Sequence, residues 1–168
     1  MIQPDIYWIK DFKAGDLAIM PRPRAGDWLE DEIKGLRYEG VDILVSLLTV
    51  NEIYELGLKE ENEICHTNSI EFISFPIPDR KVPSSVTRTI QLSQSLLTQI
   101  ISGKKVAIHC RAGIGRSALM VTCILVCAGI SPFMAYGMVA KSRGLAVPDT
   151  EEQKLWLDIF ARSLEVGV

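Results

Sequence analysis

Histidine is scarce in this chain: besides His109 there is only His66. No histidine pair is therefore at hand for a metal site or a Cys–His dyad. Cysteine is limited to Cys65, Cys110, Cys123 and Cys127. Their spacing fits neither a metal cluster nor a disulfide framework, which favours a reducing, cytoplasmic setting. A dominant charge is missing too, since 18 basic residues stand against 21 acidic ones for a net charge of -3. That balance argues against bulk nucleic-acid or membrane-surface binding but leaves room for a local basic pocket. Long apolar runs are also absent. The longest, Ala118 to Ile130, contains Thr122 and Gly129 and is too short to span a bilayer. Asp5 and Lys10 near the start leave no secretory signal visible, and no repeat or low-complexity tract divides the chain.

What is present is a 168-residue sequence, 48% hydrophobic and 23% charged, enough for one domain with a sizeable core. Short apolar runs alternate with longer amphipathic ones, the pattern of an α/β layered domain. Strands are expected at Ile6 to Ile9, Leu17 to Met20, Ile43 to Leu47, Glu71 to Phe75 and Val106 to His109. The last is a short β-branched run, as a buried central strand requires. Helices are expected at Asp27 to Arg37, Asn51 to Leu56, Ser84 to Ile101, Ser117 to Cys127, and from Ser131-Pro132 to about Ser142. Trp28, Leu29, Ile33 and Leu36 make the apolar face of the first, and Ile90, Leu97 and Ile101 that of the third. Ser117 to Cys127 is apolar nearly all round and reads as a buried central helix. A final helix begins after Asp149 or Thr150, with Glu151 and Glu152 in its first turn. Glu60 to Glu63 reads as a solvated loop, Cys123, Cys127, Met120, Met134 and Met138 as packing residues.

The informative stretch is His109-Cys110-Arg111-Ala112-Gly113-Ile114-Gly115-Arg116-Ser117. Between a buried strand and an apolar helix, such a loop aims successive amides and the positive end of a helix dipole at one spot. Gly113 and Gly115 permit the torsions and close approach of that nest, and Arg116 adds a planar fork for two oxygens. A cysteine at its mouth is a stabilised thiolate and a nucleophile. The expected object is an oxyanion cradle with Cys110 at its floor. Residues 111 to 116 (Arg111, Ala112, Gly113, Ile114, Gly115 and Arg116) bind the anion, and no metal or organic cofactor is needed.

His-Cys-five residues-Arg-Ser resembles the signature loop of the cysteine-dependent protein tyrosine phosphatases, small dual-specificity branch. Two further segments extend the likeness. Pro76-Ile77-Pro78-Asp79 is similar to that family's mobile acid loop, with Ile where many members carry Trp. The resemblance makes Asp79 the acid that protonates the leaving oxygen and then deprotonates water. Asp149 to Gln153 resembles the segment whose glutamine positions that water, although Gln153 also suits a plain first-turn solvent residue. Ser117 follows Arg116, where its hydroxyl can bond the thiolate and help it leave, cap the helix, or do both, and His109 is expected to order the loop by hydrogen bonds. An acid such as Glu52 can fix the Arg116 fork, though nothing in the sequence singles it out. Arg80, Lys81 and Arg111 flank the loop and give it a positive rim; Arg22 and Arg24 read equally well as rim or as solvated surface.

The resemblance implies one phosphatase domain over residues 1–168: a single α/β domain with a central, mostly parallel sheet flanked by helices. It implies hydrolysis of phosphate monoesters through a phosphocysteine. The substrate is a phosphorylated protein or another phosphate monoester, a phosphoinositide or an RNA 5′-phosphate being the alternatives on this scaffold. A rhodanese-like sulfurtransferase also sets a cysteine in such a loop but has no use for Asp79. Low-molecular-weight phosphatases carry the loop near the N-terminus rather than at residue 110. Idle phosphate-binding modules usually lose the cysteine, the arginine or the acid, and this chain has all three.

Overall fold

The computed structural model describes residues 2–12 and 16–167. Five strands form one sheet: β1 (Tyr7–Trp8), β2 (Leu17–Met20), β3 (Ile43–Ser46), β4 (Glu71–Ser74) and β5 (Val106–His109). Their spatial order is β1-β2-β5-β3-β4, with β1 antiparallel to β2 and every other pair parallel. The mostly parallel sheet expected from the alternating pattern is thus present. β5 lies at its centre and is buried along its whole length. Met20, His109 and Ser46 pair across β2, β5 and β3, so those three strands end at one level. In an open parallel sheet the crevice beyond the carboxyl ends of the strands is where ligands bind.

Seven helices cover the sheet among the described residues: α1 (Leu29–Tyr38), α2 (Val50–Glu55), α3 (Glu61–Thr67), α4 (Val86–Ile101), α5 (Arg116–Cys127), α6 (Pro132–Arg143) and α7 (Glu151–Glu165). The period-two alternation of a strand sends Val106 and Ile108 to one face and Ala107 to the other. Val106 and Ile108 pack with Ile100, Val121, Ile124 and Val139 from α4, α5 and α6. Ala107 packs with Ile33, Leu36 and Cys65 from α1 and α3. On its far side α5 meets α7 through Leu119, Cys123, Leu157 and Phe160. Residues 116 to 125 are all buried, as a helix apolar on every side must be.

Several expectations need correction. Glu60 to Glu63 is not a solvated loop: Glu61 opens α3 and is 1% exposed. Its acids favour the positive end of the helix dipole, and Glu61 is drawn inward by a partner far away in sequence. The first helix starts with a 3-10 turn at Gly26–Trp28, which turns Trp28 out to solvent instead of onto the apolar face. In α4 the buried residues are Thr89, Ile90, Ser93, Leu96 and Ile100, while Ile101 is exposed, because the inward stripe steps through 89, 93, 96 and 100 and so includes two small polar residues that an apolar pattern passes over. Met134 is likewise exposed and lies outside the core, unlike buried Met120. Thr150, not Asp149, caps α7, accepting from the Gln153 amide at 3.1 Å.

Candidate active site

β5 carries His109 to the edge of the crevice, and the next residue is Cys110. The chain then turns through residues 111 to 115 and enters α5 at Arg116, with Gly115 as its N-cap. Gly113 has φ +69°, and a Cβ there would stand 2.6 Å from the Pro21 nitrogen and 2.7 Å from the Met20 carbonyl carbon. Only glycine fits both the torsion and the contact with the end of β2. The loop is also tied from outside. The Arg22 amide donates to the Arg111 carbonyl at 3.2 Å. Arg143, at the end of α6, donates to the carbonyls of Gly113 (3.0 Å) and Ala112 (3.2 Å) and lies over the Tyr7 ring.

The Cys110 Sγ lies 3.1 Å from the Ser117 Oγ. Ser117 is therefore not the helix cap; it is the second residue of α5, and its hydroxyl faces the sulfur. Arg116 is 1% exposed and its guanidinium is held on three sides. Nη1 and Nη2 donate to the two Glu52 carboxylate oxygens at 2.6 and 2.8 Å, and Nη1 also donates to the Ile77 carbonyl at 2.8 Å. The Asp79 Oδ1 sits 3.1 Å from Nη2. Burial alone would lower the Arg116 pKa, but the Glu52 hydrogen bonds and the nearby negative charges raise it above the ordinary arginine value. Burial likewise works to raise Glu52, and the Arg116 and Thr49 hydrogen bonds bring it below the usual carboxylate range. The fork is locked in its charged form.

Glu52 itself is fixed by a capping box at the start of α2. Thr49 Oγ1 accepts from the Glu52 amide at 3.3 Å, while the Thr49 amide donates to Glu52 Oε1 at 3.1 Å. The Thr-x-x-Glu spacing was the sequence signal that could have singled out this acid. Glu61 had no such signal. From α3 its Oε1 accepts from His109 Nε2 at 2.6 Å, and His109 Nδ1 reaches the Cys110 carbonyl at 3.1 Å. Complete burial disfavours the charged imidazole, yet the Glu61 carboxylate outweighs it and the His109 pKa is raised. His109 thus orders the loop from behind with both ring nitrogens engaged. Burial pushes the other thiols up, Cys65 to about 12 and Cys127 to about 11, with Cys123 well above the ordinary value.

A cleft of about 140 Å³ opens above the sulfur, lined by Asp79, Arg80, Cys110, Arg111, Ala112, Gly115, Arg116 and Asp149. Asp79 lies in a turn closed by the Lys81 amide on the Pro78 carbonyl at 3.0 Å, with Arg80 in the left-handed region at φ +63°. Gly113 and Ile114 add no surface to the cleft; one backs onto β2 and the other onto the core. Gln153 is fully buried rather than solvated, and its Nε2 donates to the Lys81 carbonyl at 3.1 Å, tying α7 to the acid turn. Arg24 pairs with Asp5 and Glu32 and does not line the cleft. A cysteine sulfur, a locked arginine fork, the amino end of α5 and a half-exposed carboxylate thus share one small polar cleft. Such an arrangement can bind a tetrahedral oxyanion, attack it and protonate what leaves.

A family model described as "Polymorphic toxin system, DSP-PTPase phosphatase" matches residues 18–130, from β2 to the end of α5. The chain is 32% identical over 129 residues to the putative tyrosine phosphatase 197R of Invertebrate iridescent virus 6, covering 74% of this chain and 44% of that protein. It is 25% identical over 138 residues to cyclin-dependent kinase inhibitor 3 of Rattus norvegicus, covering 81% of this chain and 65% of that one. The chain therefore spans less than two thirds of the length of either relative. Among solved structures, kinase associated phosphatase with its catalytic-site cysteine replaced by serine superposes with a TM-score of 0.88 at 20% identity. That match covers 100% of this chain and 99% of the other, and it shows a shared fold.

Proposed function

The chain belongs to the DSP-PTPase phosphatase family, and from that premise we propose that residues 1–168 form one domain that hydrolyses phosphate monoesters through a phosphocysteine at Cys110. The observation that carries this is the bidentate lock of Glu52 on Arg116 beside a cysteine that faces a serine hydroxyl at 3.1 Å. In the first step the Cys110 thiolate attacks phosphorus and the ester oxygen leaves with a proton from Asp79. Arg116 and the amides of residues 111 to 116 hold the three equatorial oxygens as their charge rises. In the second step Asp79, now a carboxylate, takes a proton from the water that attacks phosphorus, the sulfur departs as thiolate, and the Ser117 hydroxyl stabilises it as it leaves. We assign the orienting of that water to Gln153, which is buried beside Gly115 with its Nε2 on the Lys81 carbonyl.

The substrate we propose is a phosphorylated protein. A cleft of about 140 Å³ with no aromatic side chain in its lining supports a shallow site, open to phosphotyrosine and to shorter phosphate esters. Arg80 and Arg111 at its rim favour further negative charge beside the phosphate. A reducing, cytoplasmic setting suits the four free cysteines. No described helix is long and apolar enough to cross a membrane.

The test is Cys110→Ser. It should abolish turnover of an aryl phosphate while leaving the melting temperature and vanadate binding close to wild type, because a serine hydroxyl fills the same space without supplying the nucleophile. Turnover in that variant above contaminant level would remove Cys110 from the mechanism. For the substrate, kcat/KM for matched phosphotyrosine and phosphothreonine peptides should fall within a few orders of magnitude and rise with flanking acids. A near-absolute phosphotyrosine preference, indifferent to flanking charge, would show a deep slot instead.

A further inference from the structure

The phosphate loop has a back as well as a mouth, and its back is held by a side chain that the proposed mechanism leaves without work. Arg143, the last residue of α6, donates from Nε to the Gly113 carbonyl at 3.0 Å and from Nη2 to the Ala112 carbonyl at 3.2 Å. A trans peptide unit is planar, with its N–H pointing away from its C=O. The Ala112 carbonyl shares its unit with the Gly113 amide, and the Gly113 carbonyl shares its unit with the amide of Ile114. Holding those two carbonyls on the outside of the loop therefore aims two of the amides of residues 111 to 116 into the cradle.

A long, freely rotating side chain fixes a loop only if it is itself fixed. No ion pair holds Arg143 among the described residues; instead its guanidinium carbon lies 4.4 Å from the centre of the Tyr7 ring. An aromatic face attracts a cation without using any of its N–H donors, so all of them stay free for carbonyls. A carboxylate in the same place would draw those donors away and set a negative charge behind an anion cradle. The ring is also carried on a paired strand. Tyr7 sits opposite Ile19 in the β1–β2 ladder, packs at the edge of the core, and belongs to the same sheet edge as the end of β2 that Gly113 abuts.

The segment after Tyr7 is laced to the last turn of α6 at two more points. The Lys10 amide donates to Ser142 Oγ at 2.9 Å, and Lys141 Nζ reaches Asp11 Oδ2 at 3.5 Å. Lys141, Ser142 and Arg143, three residues in a row, thus each meet the segment 7–11. We propose that Tyr7 is a positioning residue for oxyanion binding: its ring holds the Arg143 guanidinium in the one plane from which it fixes the Ala112 and Gly113 carbonyls, and through them the Gly113 and Ile114 amides. This rests on the reading of the loop as a phosphate cradle. Those amides meet the equatorial oxygens in the bound ester and in the transition state alike. Loosening them weakens both by a similar factor, which raises KM and leaves kcat in place.

The experiment is a double-mutant cycle on Tyr7 and Arg143, read by steady-state kinetics with para-nitrophenyl phosphate, by the inhibition constant for vanadate and by melting temperature. Tyr7→Leu should raise KM and the vanadate constant together by about fivefold, with kcat within about twofold of wild type. Tyr7→Phe, which keeps the ring, should recover most of that loss. Arg143→Gln added to Tyr7→Leu should raise KM by less than about twofold more, because the same brace is already gone. Should Tyr7→Leu not fold, Tyr7→Ile suits a strand, also lacks the ring and carries the same comparison. Wild-type KM and vanadate constant in Tyr7→Leu, an equal loss in Tyr7→Phe, or independent factors that multiply to about 25-fold in the double variant overturn the assignment. A fall in kcat with vanadate binding unchanged overturns it too. Failure of the underlying reading looks different: then the wild type itself does not bind vanadate.

Discussion

Glu52 and Glu61 come from the two short helices between β3 and β4, and each holds a cation on one side of Cys110. The pairs look alike on paper, but they are put to opposite uses. His109 is 0% exposed and spends both ring nitrogens inside the protein, one on Glu61 and one on the Cys110 carbonyl. Nothing of it is left for a ligand. Arg116 is nearly as buried, yet its fork reaches the cleft, where among the described residues the half-exposed Asp79 meets it from that side. Five donors on one side chain let arginine satisfy a buried glutamate and still grip an oxyanion. An imidazole has two, and here both go to shape. A buried ion pair beside a nucleophile is thus no guide to its own role; the count of uncommitted donors is.

The largest effect should come from replacing the fork while keeping the charge. Arg116→Lys should lower turnover of an aryl phosphate by about 1,000-fold, because a point charge cannot hold two equatorial oxygens and Glu52 together. Its melting temperature should move much less than its rate. Glu61→Ala should do the reverse. Stripping a buried pair of one partner costs about 3 kcal/mol, visible as an earlier urea midpoint, while the folded fraction keeps most of its turnover. Equal losses of rate and stability in both variants would dissolve the distinction between the pairs.

The pH dependence of stability separates them more finely. His109 has its pKa raised above the ordinary 6.5. Its contribution is complete below that value and is lost as pH climbs through the raised one. Glu52 is lowered from the ordinary 4.5, so its contribution is present above that value and is lost as pH falls through the lowered one. Melting temperatures across pH should therefore show an alkaline decline that Glu61→Gln flattens and an acid decline that Glu52→Gln flattens. An alkaline limb unchanged in Glu61→Gln would mean that the His109 pair is not charged in the folded state.

The smallest effect belongs to a third cation, Arg143, which braces the loop from outside through the Ala112 and Gly113 carbonyls. Arg143→Gln should raise KM about fivefold with little change in kcat, an effect on the order of 1 kcal/mol. A fall in kcat instead would place Arg143 in the same class as Arg116.

What local sequence determined here is whatever depends on neighbours in the chain. Short continuous apolar runs placed β2 and β5, all-round apolarity marked α5 as the central helix, and Ser131-Pro132 marked the start of α6, because each signal is written within a few residues. The nucleophile loop was legible for the same reason, since glycine torsions, the adjoining helix end and the cysteine all lie in one short run. Tertiary structure decided the partners. That Glu61 leaves solvent for His109, that Glu52 rather than another acid locks Arg116, that Gln153 is sealed under the acid turn, and that Asp149 faces Gly115 all depend on segments distant in sequence. A carboxylate has no intrinsic preference among cations. Which one it meets is set by where the sheet register and helix packing bring the chain, and only the folded molecule contains that information.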